Sequence, residues 1–268
     1  MNNFGINKSL GELHKKYLSK GRATINDMFG GEYEVSSYGN YVVTDKGNKY
    51  LNCAGYGVHL LGARHPHVIK RVSEQLEKHT LSTRVIPDEI SVRVAARLSS
   101  KLPGKLSKIH FNVSGADATE TALKLSRANG VARFITMKNG YHGKTFGALS
   151  VTAKSLYQDP FRPMLGPVSE AIYGDIDSLH GELKKSSQRA CVILEPVQGE
   201  AGVIFPPEGY LAEVSRVCKE NDALLIIDEI FTGLGRLGVY WASDVPGVYA
   251  DMMLIGKTLS GGVLPVSA

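Results

Sequence analysis

Strand-like runs, KIHFNV (108–113), RFITM (133–137), ACVILEP (190–196), ALLIIDE (223–229) and DMMLIG (251–256), alternate with stretches whose apolar residues recur every three or four positions, notably 116–129 and 208–221. Strands that are apolar at successive positions bury both faces. The intervening helices supply the cover, so the rhythm predicts an α/β fold with a mainly parallel central sheet flanked by helices. In such sheets ligands lie beyond the carboxyl ends of the strands. Upstream, HPHVIKRVSEQLEKHT spaces Val68, Val72 and Leu76 for a helix, and PDEISVRVAARLSSKL does the same with Ile90, Val94 and Leu98. YVVTDKGNKYLNCAG reads as a hairpin about an Asp-Lys-Gly-Asn turn, behind forty polar, glycine-punctuated residues. The pattern contains no repeat, low-complexity tract or linker. It closes on SGGVLPVSA, a strand-like tail with nothing after it to pack on, so the chain reads as unfinished.

Composition changes this picture little. With 268 residues, 43% hydrophobic and 21% charged, the chain can bury a sizeable core. A net charge of +5 is spread over scattered residues, and pairs such as Lys15–Lys16 and Lys184–Lys185 read as solvated faces. Nucleic acid is therefore not an expected partner, whereas anionic metabolites are mildly favoured. Cys53, Cys191 and Cys218 have no metal-type spacing; Cys191 and Cys218 read as small apolar core residues in a reducing compartment, and no metal site is expected. No apolar run nears the ~20 residues that span a bilayer, and no signal-peptide core opens the chain, which makes the cytoplasm the default location.

Three stretches carry candidate chemistry. In VSGADATETALKLSR (113–127), Ser114 and Asp117 have capping-box spacing for a helix with Ala118, Ala122 and Leu125 on its apolar face. Its free N–H groups would face the strand-end crevice, as a phosphate site or simply as a well-capped helix. GLGRLG (233–238) fits the dinucleotide fingerprint GxGxxG, but DEIFT separates it from the strand, VYWASDVPG rather than a helix follows, and the acid is misplaced. That reading is rejected. Lys257 follows an aliphatic run directly, where it either snorkels to solvent or, desolvated, offers a neutral amine for a Schiff base. The run LLIIDEI ends on carboxylates that need a cationic partner if buried. A phosphate cradle, a buried acid at Asp228 and a strand-end lysine are together what pyridoxal phosphate requires, and its pyridinium N–H would be the partner of Asp228.

The motifs SGADATETALKLSR, YHGKTFGALSVTAKS, EPVQGEAGV, DEIFTGLGRLG and GKTLSGG, in this order, resemble the class III pyridoxal-phosphate-dependent aminotransferases of fold type I. The likeness is closest to the ornithine, acetylornithine and putrescine enzymes, and runs from residue 41 to the end. The resemblance implies an N-terminal segment, 1–75, forming part of a small domain, and a large cofactor domain, 76–268, with its C-terminal part absent. It implies that Ser114, Gly115 and Ala116 hold the phosphate. Tyr141 would lie on the pyridine ring with His142 beside it, Ile230 on the other face, and Glu195 in the supporting network. Asp228 would meet the ring nitrogen, and Lys257 would form the Schiff base and shuttle the proton. Glu200 would pair with an arginine that otherwise binds a substrate carboxylate, which favours an ω-amine donor.

The implied activity is transfer of an amino group from an ω-amine or amino acid to 2-oxoglutarate, by a ping-pong route in a homodimer with shared active sites. The alternatives are a decarboxylase, aminomutase or racemase on the same fold, or a silent truncated chain with exposed strand edges. Phe231 departs from the family pattern, which commonly has a polar residue there. The carboxylate-binding arginine and a cross-subunit phosphate ligand have no counterpart in the sequence.

Overall fold

Serines open the first two helices in the computed structural model, which describes residues 9–268 apart from 54 and 84. Helix α1 (Leu10–Tyr17) starts in a capping box: Ser9 Oγ accepts the Glu12 N–H at 3.3 Å, and the Glu12 carboxylate accepts the Ser9 N–H at 2.9 Å. Helix α2 (Lys20–Met28) is capped in the same sense by Ser19. Strands β1 (Glu34–Tyr38), β2 (Tyr41–Thr44) and β3 (Lys49–Leu51) form an antiparallel sheet, in which β2 and β3 are the expected hairpin and β1 is an addition. These elements belong to a unit made of the chain up to Gly55 with Gly62–His65.

The second unit holds Tyr56–Leu61 and Pro66–Ala268. The helix expected over HPHVIKRVSEQLEKHT, α3 (Pro66–Lys78), lies in this unit, as does α4 (Glu89–Ser99). Then follow α5 (Gly115–Ala128), β4 (Arg133–Met137), α6 (Phe146–Ser150), α7 (Ser155–Gln158), β5 (Val168–Ala171), α8 (Ile176–Lys184), β6 (Ala190–Leu194), α9 (Tyr210–Glu220), β7 (Leu224–Asp228) and β8 (Met252–Leu254). The five strands are all parallel, in the order β5-β4-β6-β7-β8.

Strand alternation sorts the core into two layers. Ile135, Met137, Val192, Leu194, Leu225 and Ile227 pack with Leu179 and Leu183 of α8 and with Val214, Val217 and Cys218 of α9. Their neighbours in sequence, Phe134, Cys191, Ile193 and Ile226, pack on the opposite face with Ala118, Ala122 and Leu123 of α5. Helices on both sides explain why β4 and β6 are buried at every position.

One expected strand is corrected and one strand is added. Residues 108–113 form no ladder: among the described residues, this run makes backbone-to-backbone bonds only at Asn112, with Ser267, at 2.8 and 2.9 Å. One pair does not make a strand. β5 escaped the pattern because VSEA sits at the sheet edge and buries only Ala171 fully.

Candidate active site

Strand order reverses between β4 and β6: β5 lies beyond β4 on one side, whereas β6, β7 and β8 follow on the other. Loops leaving such a reversal splay apart and open a crevice at the carboxyl ends. The segments entering it follow β4 (Tyr141, His142), β6 (Glu195, Gly199), β7 (Asp228, Ile230, Phe231) and β8 (Lys257). Parallel strands therefore bring residues more than a hundred positions apart to one end of the sheet.

Asp228 closes β7 and is 3% exposed. Its Oδ2 lies 2.7 Å from His142 Nδ1, and its Oδ1 accepts the Ile230 N–H at 3.0 Å. His142 is equally buried; its N–H donates to Thr152 Oγ1 at 2.9 Å, while its Nε2 has no hydrogen-bond partner among the described residues. Glu195, 4% exposed, accepts the Tyr141 N–H at 3.0 Å and the Gly199 N–H at 3.3 Å. Burial holds the Glu195 carboxyl above its ordinary value, and the neighbouring Asp228 charge adds to that. Tyr141 stands edge-on to Tyr157 with ring centroids 6.1 Å apart, and burial raises its phenol.

Lys257 has a left-handed backbone, φ +41°, at the head of a single 3-10 turn over Lys257–Ser260. For a side-chain-bearing residue this conformation is costly and persists where the surroundings enforce it. Burial lowers the Lys257 ammonium below its usual 10.5, against the opposing pull of Asp228, Glu195 and Glu200. Its Nζ lies 5.3 Å from the centre of the Phe231 ring.

Ser114 caps α5, its Oγ accepting the Asp117 N–H at 3.2 Å. The reciprocal bond expected of a capping box is displaced by one residue, since Asp117 Oδ2 accepts from Val113 N–H at 3.2 Å rather than from Ser114. The end of the helix is built for close approach. A Cβ on Gly115 would stand 2.9 Å from Ile230 Cδ1, and one on Gly143 would stand 2.7 Å from the Ala116 Cβ. Ile230 also abuts Gly256. Glu200 is exposed, and its main-chain carbonyl accepts the Lys154 ammonium at 2.6 Å.

The donor set fits pyridoxal phosphate. A fourteen-residue helix presents its N-terminus for an anion, a buried carboxylate can meet a cationic ring nitrogen, and an amine with a weakened hold on its proton stands just past the end of the neighbouring strand. The family model for class III aminotransferases matches residues 33–268. This chain belongs to that family. Class III aminotransferases depend on pyridoxal phosphate, so the cofactor expected from the sequence is the one that the family uses. Among its relatives, a putrescine aminotransferase of Pectobacterium atrosepticum is 37% identical over a 278-residue alignment covering 96% of this chain and 59% of the relative. An adenosylmethionine-8-amino-7-oxononanoate aminotransferase of Methanocaldococcus jannaschii superposes with a TM-score of 0.89 at 29% identity, over 96% of this chain and 64% of that one. The ornithine aminotransferase of Toxoplasma gondii, in a structure with pyridoxal phosphate at partial occupancy, gives 0.82 at 30% identity, over 98% and 66%. The aminotransferase fold expected from the motifs is thus confirmed, and the chain spans about three fifths of the curated relative it matches.

Sequence reasoning missed Thr152, which fixes the His142 backbone, and Arg236, which sits inside the rejected GLGRLG run. The only sequence signal for Arg236 was a cation in a turn close behind the buried acids.

Proposed function

We propose that this chain carries the cofactor-binding half of an aminotransferase that moves an amino group from an ω-amine or amino acid, of the putrescine or ornithine kind, to 2-oxoglutarate. The reading includes a ping-pong route and a homodimer with shared active sites. The observation that carries it is the pairing of a buried acid, Asp228, with a desolvated amine, Lys257, on adjacent strand ends.

Bound pyridoxal phosphate supplies an aldehyde and a protonated ring that draws electrons away from a substrate carbon. The chain's residues do the rest. Gly115 and Ala116 offer backbone N–H groups at a helix N-terminus to the phosphate, and Ser114 adds its hydroxyl. Asp228, held by His142 and by the Ile230 N–H, would meet the ring nitrogen. Tyr141 and Ile230 would confine the ring, and Glu195 fixes the Tyr141 loop through its backbone. Lys257 Nζ, neutral more readily than a surface lysine, would take up a proton from the substrate carbon and hand it on. Glu200 supports an ω-amine donor, because a carboxylate near the amine pocket can pair with an arginine and leave a dicarboxylate site for the second half-reaction.

The test is a spectrum. Purified protein with pyridoxal phosphate is expected to absorb in the visible, to lose that band on adding putrescine or ornithine alone, and to regain it with 2-oxoglutarate. Lys257→Ala is expected never to show the band. A decarboxylase or racemase would release product from the amine alone without waiting for the oxo acid, and that result would overturn the reading.

A further inference from the structure

Arg236 leaves the turn that follows β7 and reaches back into the strand-end crevice. Its Nε donates to the Phe231 carbonyl and its Nη2 to the Gly57 carbonyl, with a third bond from Nη2 to Thr258 Oγ1 at 3.2 Å. Three separate segments, 57, 231 and 258, thus converge on one guanidinium. The guanidinium carbon lies 4.9 Å from the Phe231 ring centre, and Lys257 Nζ lies 5.3 Å from the same centre. Gly57 is left-handed, φ +72°, and a Cβ there would stand 3.3 Å from both the ring and the guanidinium, so the arrangement is tight. Among the described residues no carboxylate comes within ion-pair distance of Arg236. All of its partners are neutral oxygens, and its positive charge remains uncompensated in a partly buried place.

We propose that Arg236 is a positioning residue for Lys257: it pins the turn carrying the lysine through Thr258, seats the Phe231 ring beside the amine, and sets an unpaired positive charge next to it. The inference rests on the reading of Lys257 as the amine of the site. Two consequences follow from the geometry. First, the strained Lys257 backbone is held from its C-terminal side by the bond to Thr258, so the amine is presented in one direction before any ligand arrives. Second, the groups facing the amine are of both signs: Asp228 from β7 and Glu195 and Glu200 from the segment after β6 favour the ammonium, and Arg236 disfavours it. Burial is the larger influence against the ammonium, and Arg236 is the cation that adds to it. A neutral residue there leaves the acids opposed by burial alone and shifts Lys257 toward its protonated form, in which it can neither attack an aldehyde nor take up a proton.

The experiment is competitive labelling of the full chain without added cofactor. Acetic anhydride, which reacts with neutral amines, is applied across pH 6–11, and modification of Lys257 is read by mass spectrometry against the exposed Lys124 as internal reference. In Arg236→Gln, Lys257 is expected to label about three- to tenfold more slowly at pH 8, the loss made by an upward move of half to one unit in its midpoint. Arg236→Lys keeps the charge without the fork and is expected to restore most of that rate, whereas pyridoxal phosphate capture stays slow because the turn is no longer pinned. Thr258→Val removes one bond of the fork with Arg236 intact, so it is expected to slow capture and leave the labelling midpoint in place, which keeps the inference testable if Arg236→Gln does not fold. Unchanged Lys257 labelling in a folded Arg236→Gln protein, or unchanged capture in Thr258→Val, would overturn the proposal. Failure of the wild-type chain to take up pyridoxal phosphate would count against the proposed function instead, since the labelling profiles of Lys257 would still report the influence of Arg236.

Discussion

Asp228 and Lys257 could be read from sequence because each stands where an aliphatic strand run stops, a place where a charge needs a reason. Their partners could not. His142 and Asp228 are 86 residues apart, and no local spacing announces a 2.7 Å contact at that separation. Replacing Asp228 by Asn keeps the shape and removes the charge. Turnover is expected to fall by about a hundredfold or more in steady-state assays, while capture of the cofactor by Lys257 survives. Lys257 itself carries a stability cost. Burial holds its folded pKa below 10.5, so between the folded midpoint and 10.5 the unfolded chain binds more protons and stability rises with pH. Lys257→Met removes that titration. The cofactor-free variant is expected to be more stable by about 1 kcal/mol at pH 7 and to lose the upward trend toward pH 10, as measured by urea unfolding at several pH values.

At the scale of elements, strands buried on both faces and long amphipathic helices were legible, because periodicity records burial. The run 108–113 misled because alternation shows that a segment can be a strand, whereas a ladder also needs a partner, and here only Asn112 finds one. The loop after β4 depends on a feature invisible to periodicity. Gly143 is left-handed, φ +124°, with the first turn of α5 against it, so Gly143→Ala meets both strain and a collision with Ala116. A loss of roughly 2 kcal/mol or more is expected in denaturant unfolding, together with weaker pyridoxal phosphate binding. Arg133 is another case. At the start of β4, 8% exposed, it donates to the carbonyls of Glu182, Leu183, Ser186 and Gln188, closing the C-terminal end of α8. An arginine in a strand run is an unpromising core residue until those four acceptors are known. Arg133→Met strands them and is expected to cost about 2–4 kcal/mol by the same measurement.

For the molecule as a whole, the order of the motifs was enough to give the family, but not the division of the chain into units. Contacts place α3 from Pro66 onward in the larger unit, and an amphipathic stripe by itself does not say which unit a helix joins. The two buried cysteines now acquire a use. Cys191 lies on the sheet face covered by α5, and Cys218 lies on α9 in the layer that covers the opposite face; burial raises each thiol to about 12, while Cys53 is exposed. At neutral pH a disulfide reagent should therefore consume one equivalent rapidly and three in denaturant. In intermediate urea the two slow equivalents become independent clocks, one for each side of the sheet. If the layers come apart separately, mass spectrometry will find the two sites modified at different rates.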